Sequence, residues 1–123
     1  MGAVILFWYL VCHGGVCVVE PFTVTREAAA IVACESGDGL RYGTYSLHAR
    51  SATADGGLFQ FNDKTYEALT GRTHADTDAV QSQYEAFLEL WNDGRGWRHW
   101  RSSQACWSQW MTIEEGVATW TTR

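Results

Sequence analysis

Proline occurs once in the 123 residues of this chain, at Pro21, and no internal repeat or low-complexity linker divides it. Nor are there enough residues for a second core, so the chain reads as one domain. Cationic side chains are scarce as well. Nine Lys and Arg stand against fourteen Asp and Glu, for a formal net charge of −5. That excludes nucleic acid as the main partner, because phosphate binding draws most of its affinity from Lys and Arg. No C-x-x-C pair occurs, and His13, His48, His74 and His99 are scattered, so the pattern of a zinc site is missing. Nothing in the sequence calls for a metal or an organic cofactor. A membrane-spanning helix needs about 20 apolar residues, whereas the uncharged run from Met1 to Val19 is interrupted by "HGG" at 13 to 15. The same run lacks a basic n-region, a small-x-small cleavage site and a lipobox before Cys12 or Cys17.

What is present is apolar material in a globular proportion: 46% hydrophobic residues and 19% charged. Residues 1–22 form an apolar N-terminal segment with two open readings. It is either an export or anchor element, with membrane or virion association through residues 3–19, or a strand or helix packed into the domain formed by residues 23–123. "EPFTVT" reads as an extended approach to a helix. Thr23 or Thr25 caps that helix, with Glu27 in its first turn, where the helix dipole favours a negative charge. "REAAAIVAC" has high helix propensity, and Gly37 and Gly39 are stop signals. Residues 36 to 57 read as loop, and "GGLFQF" at 56 to 61 as a strand or a buried turn. "NDKTYEALTG" is a short helix between Asn62 or Asp63 and Gly71. Val80, Tyr84, Phe87, Leu88 and Trp91 fit one buried helix face, with Asp78 as cap and Gly94 or Gly96 as terminator. The expected fold class is α+β, mainly α, with a short β element near 56 to 61.

Glu35 stands at the end of the first helix, directly after a cysteine and an alanine-rich apolar run. Glutamates at helix ends are commonly solvated. Here the flanking Ile31, Val32 and Cys34 imply a mostly buried helix. Desolvation penalises the charged carboxylate and raises its pKa, which suits a general acid near neutral pH.

"CESGDG", "DGGLFQFNDKTY" and "GWRHWRSSQACW" together resemble, in order, the lysozyme-like superfamily of lytic transglycosylases. The similarity is greatest to the resuscitation-promoting-factor type and to phage endolysin and tail lysozyme-like domains. It covers residues 26 to 107. The resemblance implies a small lysozyme-like fold, with helices around a cleft, and cleavage of the β-1,4 bond between N-acetylmuramic acid and N-acetylglucosamine in peptidoglycan. By position it implies Glu35 as the catalytic acid and Gln60 as a cleft glutamine whose amide bonds a sugar N-acetyl or hydroxyl group. Thr65 and Tyr66 match the threonine–aromatic pair of the cleft, and Cys34 and Cys106 match the family disulfide. The stretch from Glu35 to Gly56 is longer than in the resuscitation factors and reads as an enlarged loop, in which Tyr42, Tyr45 or His48 faces substrate.

A transglycosylase needs one such glutamate, which first donates a proton to the leaving oxygen and then accepts that of the substrate's C6 hydroxyl. Asp38 and Asp55 read first as turn formers. Either would favour a hydrolytic muramidase if it lay across the cleft, and a non-catalytic wall-binding or virion protein that keeps the fold is the third reading. Four cysteines permit three connectivities and suggest an oxidising, extracytoplasmic setting; Cys12 and Cys17 either pair or stay reduced. Of the tryptophans, Trp91 reads as core, and one of Trp97 and Trp100 as approaching the sugar. Arg95, Arg98 and Arg101, beside His99, form a solvated cationic face that could touch an anionic polymer.

Overall fold

The computed structural model describes residues 4–36, 45–46, 49–51 and 55–121, and Tyr42, Asp38, His48, Gly37 and Gly39 lie outside them. The apolar N-terminal run is a β-hairpin, β1 (Val4–His13) and β2 (Val16–Thr25). Val, Ile and aromatic residues favour extended backbone, and Gly14 and Gly15 both adopt positive φ, as a type I′ turn between two strands requires. The register runs from Val4 opposite Thr25 to His13 opposite Val16. It sets Cys12 opposite Cys17, and these two form a disulfide. Tyr9, Val11 and Val24 face the core, whereas Val4, Leu6, Trp8 and Val19 stay exposed. β2 crosses the boundary expected at residue 22, so the hairpin and the remainder share one core. No described helix is long and apolar enough to cross a membrane.

α1 (Arg26–Glu35) begins where Thr25 Oγ1 accepts the Ala28 N–H at 3.2 Å. Its Ala28, Ala30, Ile31 and Val32 are buried. β3 (Tyr45–Ser46) lies parallel to β1. β4 (Asp55–Gly56) and β5 (Phe61–Asn62) flank a buried turn, and α2 (Asp63–Thr70) follows from an Asn62 cap to Gly71 in the left-handed region. α3 (Val80–Trp91) departs from expectation at both ends. Ala79 stands at the cap position with no side-chain bond, because Asp78 accepts instead from the Tyr66 hydroxyl at 2.6 Å and from Arg72 at 2.7 Å. The helix stops at Asn92, with φ of 50°. Its inward face is Gln83, Ala86, Phe87 and Trp91, while Leu88 is exposed.

The 3₁₀ segment Trp97–Ser103 and the short α4 (Gln104–Trp107) carry the aromatic spine of the core. Trp91, Trp97, Trp100 and Trp107 meet edge to face, and Phe87 stacks on Phe59 at 4.5 Å. Such geometry favours aromatic pairs beyond their buried area. Three of these indole N–H groups donate to backbone carbonyls: Trp97 to Gly116, Trp100 to Phe59 and Trp107 to Trp100. β6 (Met111–Glu114) and β7 (Val117–Trp120) close the chain as a second hairpin that the sequence did not announce. It packs over Gly94, where an added Cβ would lie 2.2 Å from the Ala118 carbonyl oxygen. The protein is thus α+β, with more strand than its sequence suggested.

Cys34 and Cys106 form the second disulfide, with Cα atoms 5.8 Å apart, tying the last turn of α1 to α4 across 72 positions. The two disulfides fit an oxidising environment. Loop-closure entropy makes the long link the more stabilising. Replacing Cys34 and Cys106 by Ala is expected to cost roughly 4 kcal/mol, against about 2 kcal/mol for Cys12 and Cys17, measured by urea unfolding of the two double variants.

Candidate active site

Glu35 reaches a cleft of about 150 Å³ whose other lining residues are Asp55, Gln60, Phe61, Asn62, Thr65, Leu90, His99, Trp100 and Ser102. Two walls meet there. The β4–β5 turn and the start of α2 supply one, and α1, α3 and the 3₁₀ segment supply the other.

The first wall is held from behind. Asp55 sits between strand partners: Asn62 pairs with it on one side, and on the other the Ser51 N–H donates to its carbonyl at 2.9 Å. Arg50, bridged to Gly56, donates to Asp63 at 2.7 Å and to Asp76 at 2.8 Å. His74 lies 3.2 Å from the same Asp63 carboxylate. Arg50 draws the Asp63 carboxyl below its ordinary range. Gln83, fully buried on α3, accepts the Leu58 N–H at 2.8 Å and donates to the Asp78 carbonyl at 3.0 Å. A buried amide group left unpaired would cost about 1–3 kcal/mol, so Gln83 locks the turn to α3. Sequence reading missed Gln83, which sits among the apolar positions of an amphipathic helix with no motif of its own.

Gln60 lines the cleft in a left-handed backbone conformation, φ 52°. Only the surroundings sustain such a conformation in a side chain of this size. Its amide NH2 donates to the carbonyls of Gly57 at 2.9 Å and Ala49 at 3.3 Å. With both donors so engaged, the amide's oxygen is the atom left to make the hydrogen bond expected from Gln60 to a sugar. Thr65 reaches the cleft as expected, but Tyr66 does not. Tyr66 is fully buried, its ring 5.3 Å from that of Phe61, so it supports the floor rather than touching a ligand. Burial and the bond to Asp78 push its phenol far up. Of the two tryptophans, Trp100 lines the cleft and Trp97 does not, being turned inward to Gly116. Leu90, His99 and Ser102 are lining residues not foreseen as such.

Burial raises the Glu35 pKa above the ordinary glutamate value. A hydrogen bond from Ser103 works against the rise, and the negative charge of Asp55 adds to it. Burial and a neighbouring carboxylate both favour the protonated form of this carboxyl group. Among the described residues, no group of three or more His, Cys, Asp and Glu could hold a metal ion. Two other hollows, of about 390 Å³ each, lie around Trp110 and Thr121 and around Thr25 and Trp91, away from this pair.

The three contributions are separable by carbon-detected NMR titration of Glu35. Its pKa is expected to fall in Asp55→Asn, which removes a like charge, and to rise in Ser103→Ala, which removes a donor to the ionised form. It should remain above the ordinary value in Asp55→Asn, since burial is the larger cause. No protein-family model matches the sequence, and no curated protein or solved structure matches the chain significantly.

Proposed function

We propose that the protein is a peptidoglycan glycosidase, with a small lysozyme-like fold, that cleaves the β-1,4 bond between N-acetylmuramic acid and N-acetylglucosamine. The observation that carries this reading is that Glu35 and Asp55 line one cleft from its two walls, with burial raising the Glu35 pKa above its ordinary value. Glu35 delivers its proton to the glycosidic oxygen as positive charge grows on the sugar ring, and Asp55 answers that charge. Asn62, Thr65, His99 and Ser102 offer polar atoms for sugar hydroxyl and N-acetyl groups, and Trp100 offers an aromatic edge.

The sequence alone favoured a lytic transglycosylase, because no partner carboxylate was evident. Asp55 in the cleft shifts the preference to a hydrolytic muramidase, in which a second carboxylate activates water or stabilises the glycosyl intermediate. The setting is extracytoplasmic, with peptidoglycan strands as partner, in a secreted or phage virion protein.

Glu35→Gln is expected to reduce wall clearing by roughly 10²–10⁴-fold while wall binding persists. Unchanged clearing would leave only a non-catalytic wall-binding role. The same variant should be more stable at neutral pH, because a native carboxyl with a raised pKa contributes stability that is lost as pH rises through that pKa. Mass spectrometry of the digest separates the two chemistries. Reducing-end sugars, with a loss of about 10²-fold or more in Asp55→Asn, mark a muramidase. Anhydro-muropeptides and an active Asp55→Asn would mark a transglycosylase.

A further inference from the structure

Side chains three apart in a 3₁₀ segment stack in columns. In Trp97–Ser103, which kinks at Trp100, one column is Trp97 and Trp100, both buried. A second is His99 and Ser102, which line the cleft beside Glu35. The third is Arg98 and Arg101, both exposed, and each is next in sequence to a cleft-lining residue, Arg98 to His99 and Arg101 to Trp100 and Ser102. Three other arginines are matched with acids: Arg26 with Glu27, Arg50 with Asp63 and Asp76, and Arg72 with Asp78. Arg98 and Arg101 form no ion pair among the described residues.

Both instead lie on one indole. Their guanidinium carbons are 4.9 and 5.8 Å from the centroid of the Trp97 ring, which is itself anchored by its bond to Gly116 at 3.1 Å. A guanidinium stacked on a ring keeps its in-plane N–H donors for a planar anion such as a carboxylate. Two like charges gathered on one indole make a local cationic patch in a protein of net charge −5. Arg95, exposed and three positions earlier, extends it.

We propose that this patch binds carboxylates of the peptide substituents on the glycan strand lying in the cleft, so that the enzyme selects anionic, peptide-bearing strands over neutral ones. The inference rests on the glycosidase reading and adds its specificity. A carboxylate borne by the bound strand is preferred over the phosphates of a separate polymer, because both arginines alternate in sequence with cleft-lining residues and a branch of the bound strand has only a side chain's length to cross to meet them.

The test compares wild-type protein with Arg98→Gln/Arg101→Gln on peptidoglycan and on the same material with its carboxylates converted to amides. Amidation should raise the wild-type KM roughly five- to tenfold with little change in kcat. The double variant should show that raised KM on native peptidoglycan, no further rise on the amidated form, and a flatter dependence on salt. Arg98→Lys/Arg101→Lys should recover part of the difference. Equal KM values for the wild type on both substrates, or an unchanged KM in the glutamine variant, would overturn the proposal. So would loss of binding to a teichoic-acid-type phosphate polymer with peptidoglycan KM unaltered. Activity on amidated peptidoglycan equal to wild type shows that the double variant is folded. Failure of the glycosidase reading would show differently, as no cleavage of either substrate by wild-type protein.

Discussion

One buried hydrogen bond, from the Trp100 indole to the Phe59 carbonyl at 2.9 Å, joins the two walls of the cleft across 41 positions of sequence. Phe59 belongs to the turn between Asp55 and Gln60, and Trp100 to the segment that carries His99 and Ser102. Without that bond, two polar atoms would lie in the core without partners, at a cost comparable to a substantial part of a domain's net stability. The rest of the aromatic spine is arranged around it. Phe59 stacks on Phe87, Phe87 and Trp91 pack on Trp100, and Trp107 returns its own indole N–H to the Trp100 carbonyl. The separation of the walls is thus a property of the core, and the cleft follows from it.

The electrostatics of the site repeat that logic on a smaller scale. α1 is apolar because it must pack, and Glu35 inherits a poorly solvated position at the end of it. Ser103, from the 3₁₀ segment on the same wall, moderates the resulting rise in pKa, and Asp55, from the other wall, adds to it. Behind Asp55, the Arg50 fork, its two aspartates and the buried Gln83 carry no chemistry themselves. They hold in place the short strand whose carboxylate shares the cleft with Glu35.

The sequence was informative where one residue decides a local structure. The Thr25 cap, the Gly71 stop and the burial of Glu35 were legible because caps, left-handed turns and apolar flanks are local. Asp55 was read as a turn former, because its meaning depends on which strand pairs with it. Tyr66 was expected at the ligand and lies beneath the surface, and the sequence left open which of Trp97 and Trp100 would reach the cleft, since a large aromatic gives the same signal in a core as in a sugar site. Asp78 looked like a helix cap until Tyr66 and Arg72, distant enough to escape any local pattern, claimed its oxygens. The second hairpin went unread because "MTIEEGVATW" is short, and tryptophans nearby suggested packing rather than pairing. The N-terminal run was ambiguous for a related reason: hydrophobicity without period suits a helix, a strand or a leader alike.

That run has a practical consequence. Val4, Leu6 and Trp8 are half or more exposed, at 65%, 57% and 50%, and the first hairpin bears no cation to keep other molecules at a distance. In a concentrated sample, water gains by letting such faces cover one another. Self-association in concentrated solution is therefore expected to begin at the N-terminal ribbon rather than at the groove that holds Glu35.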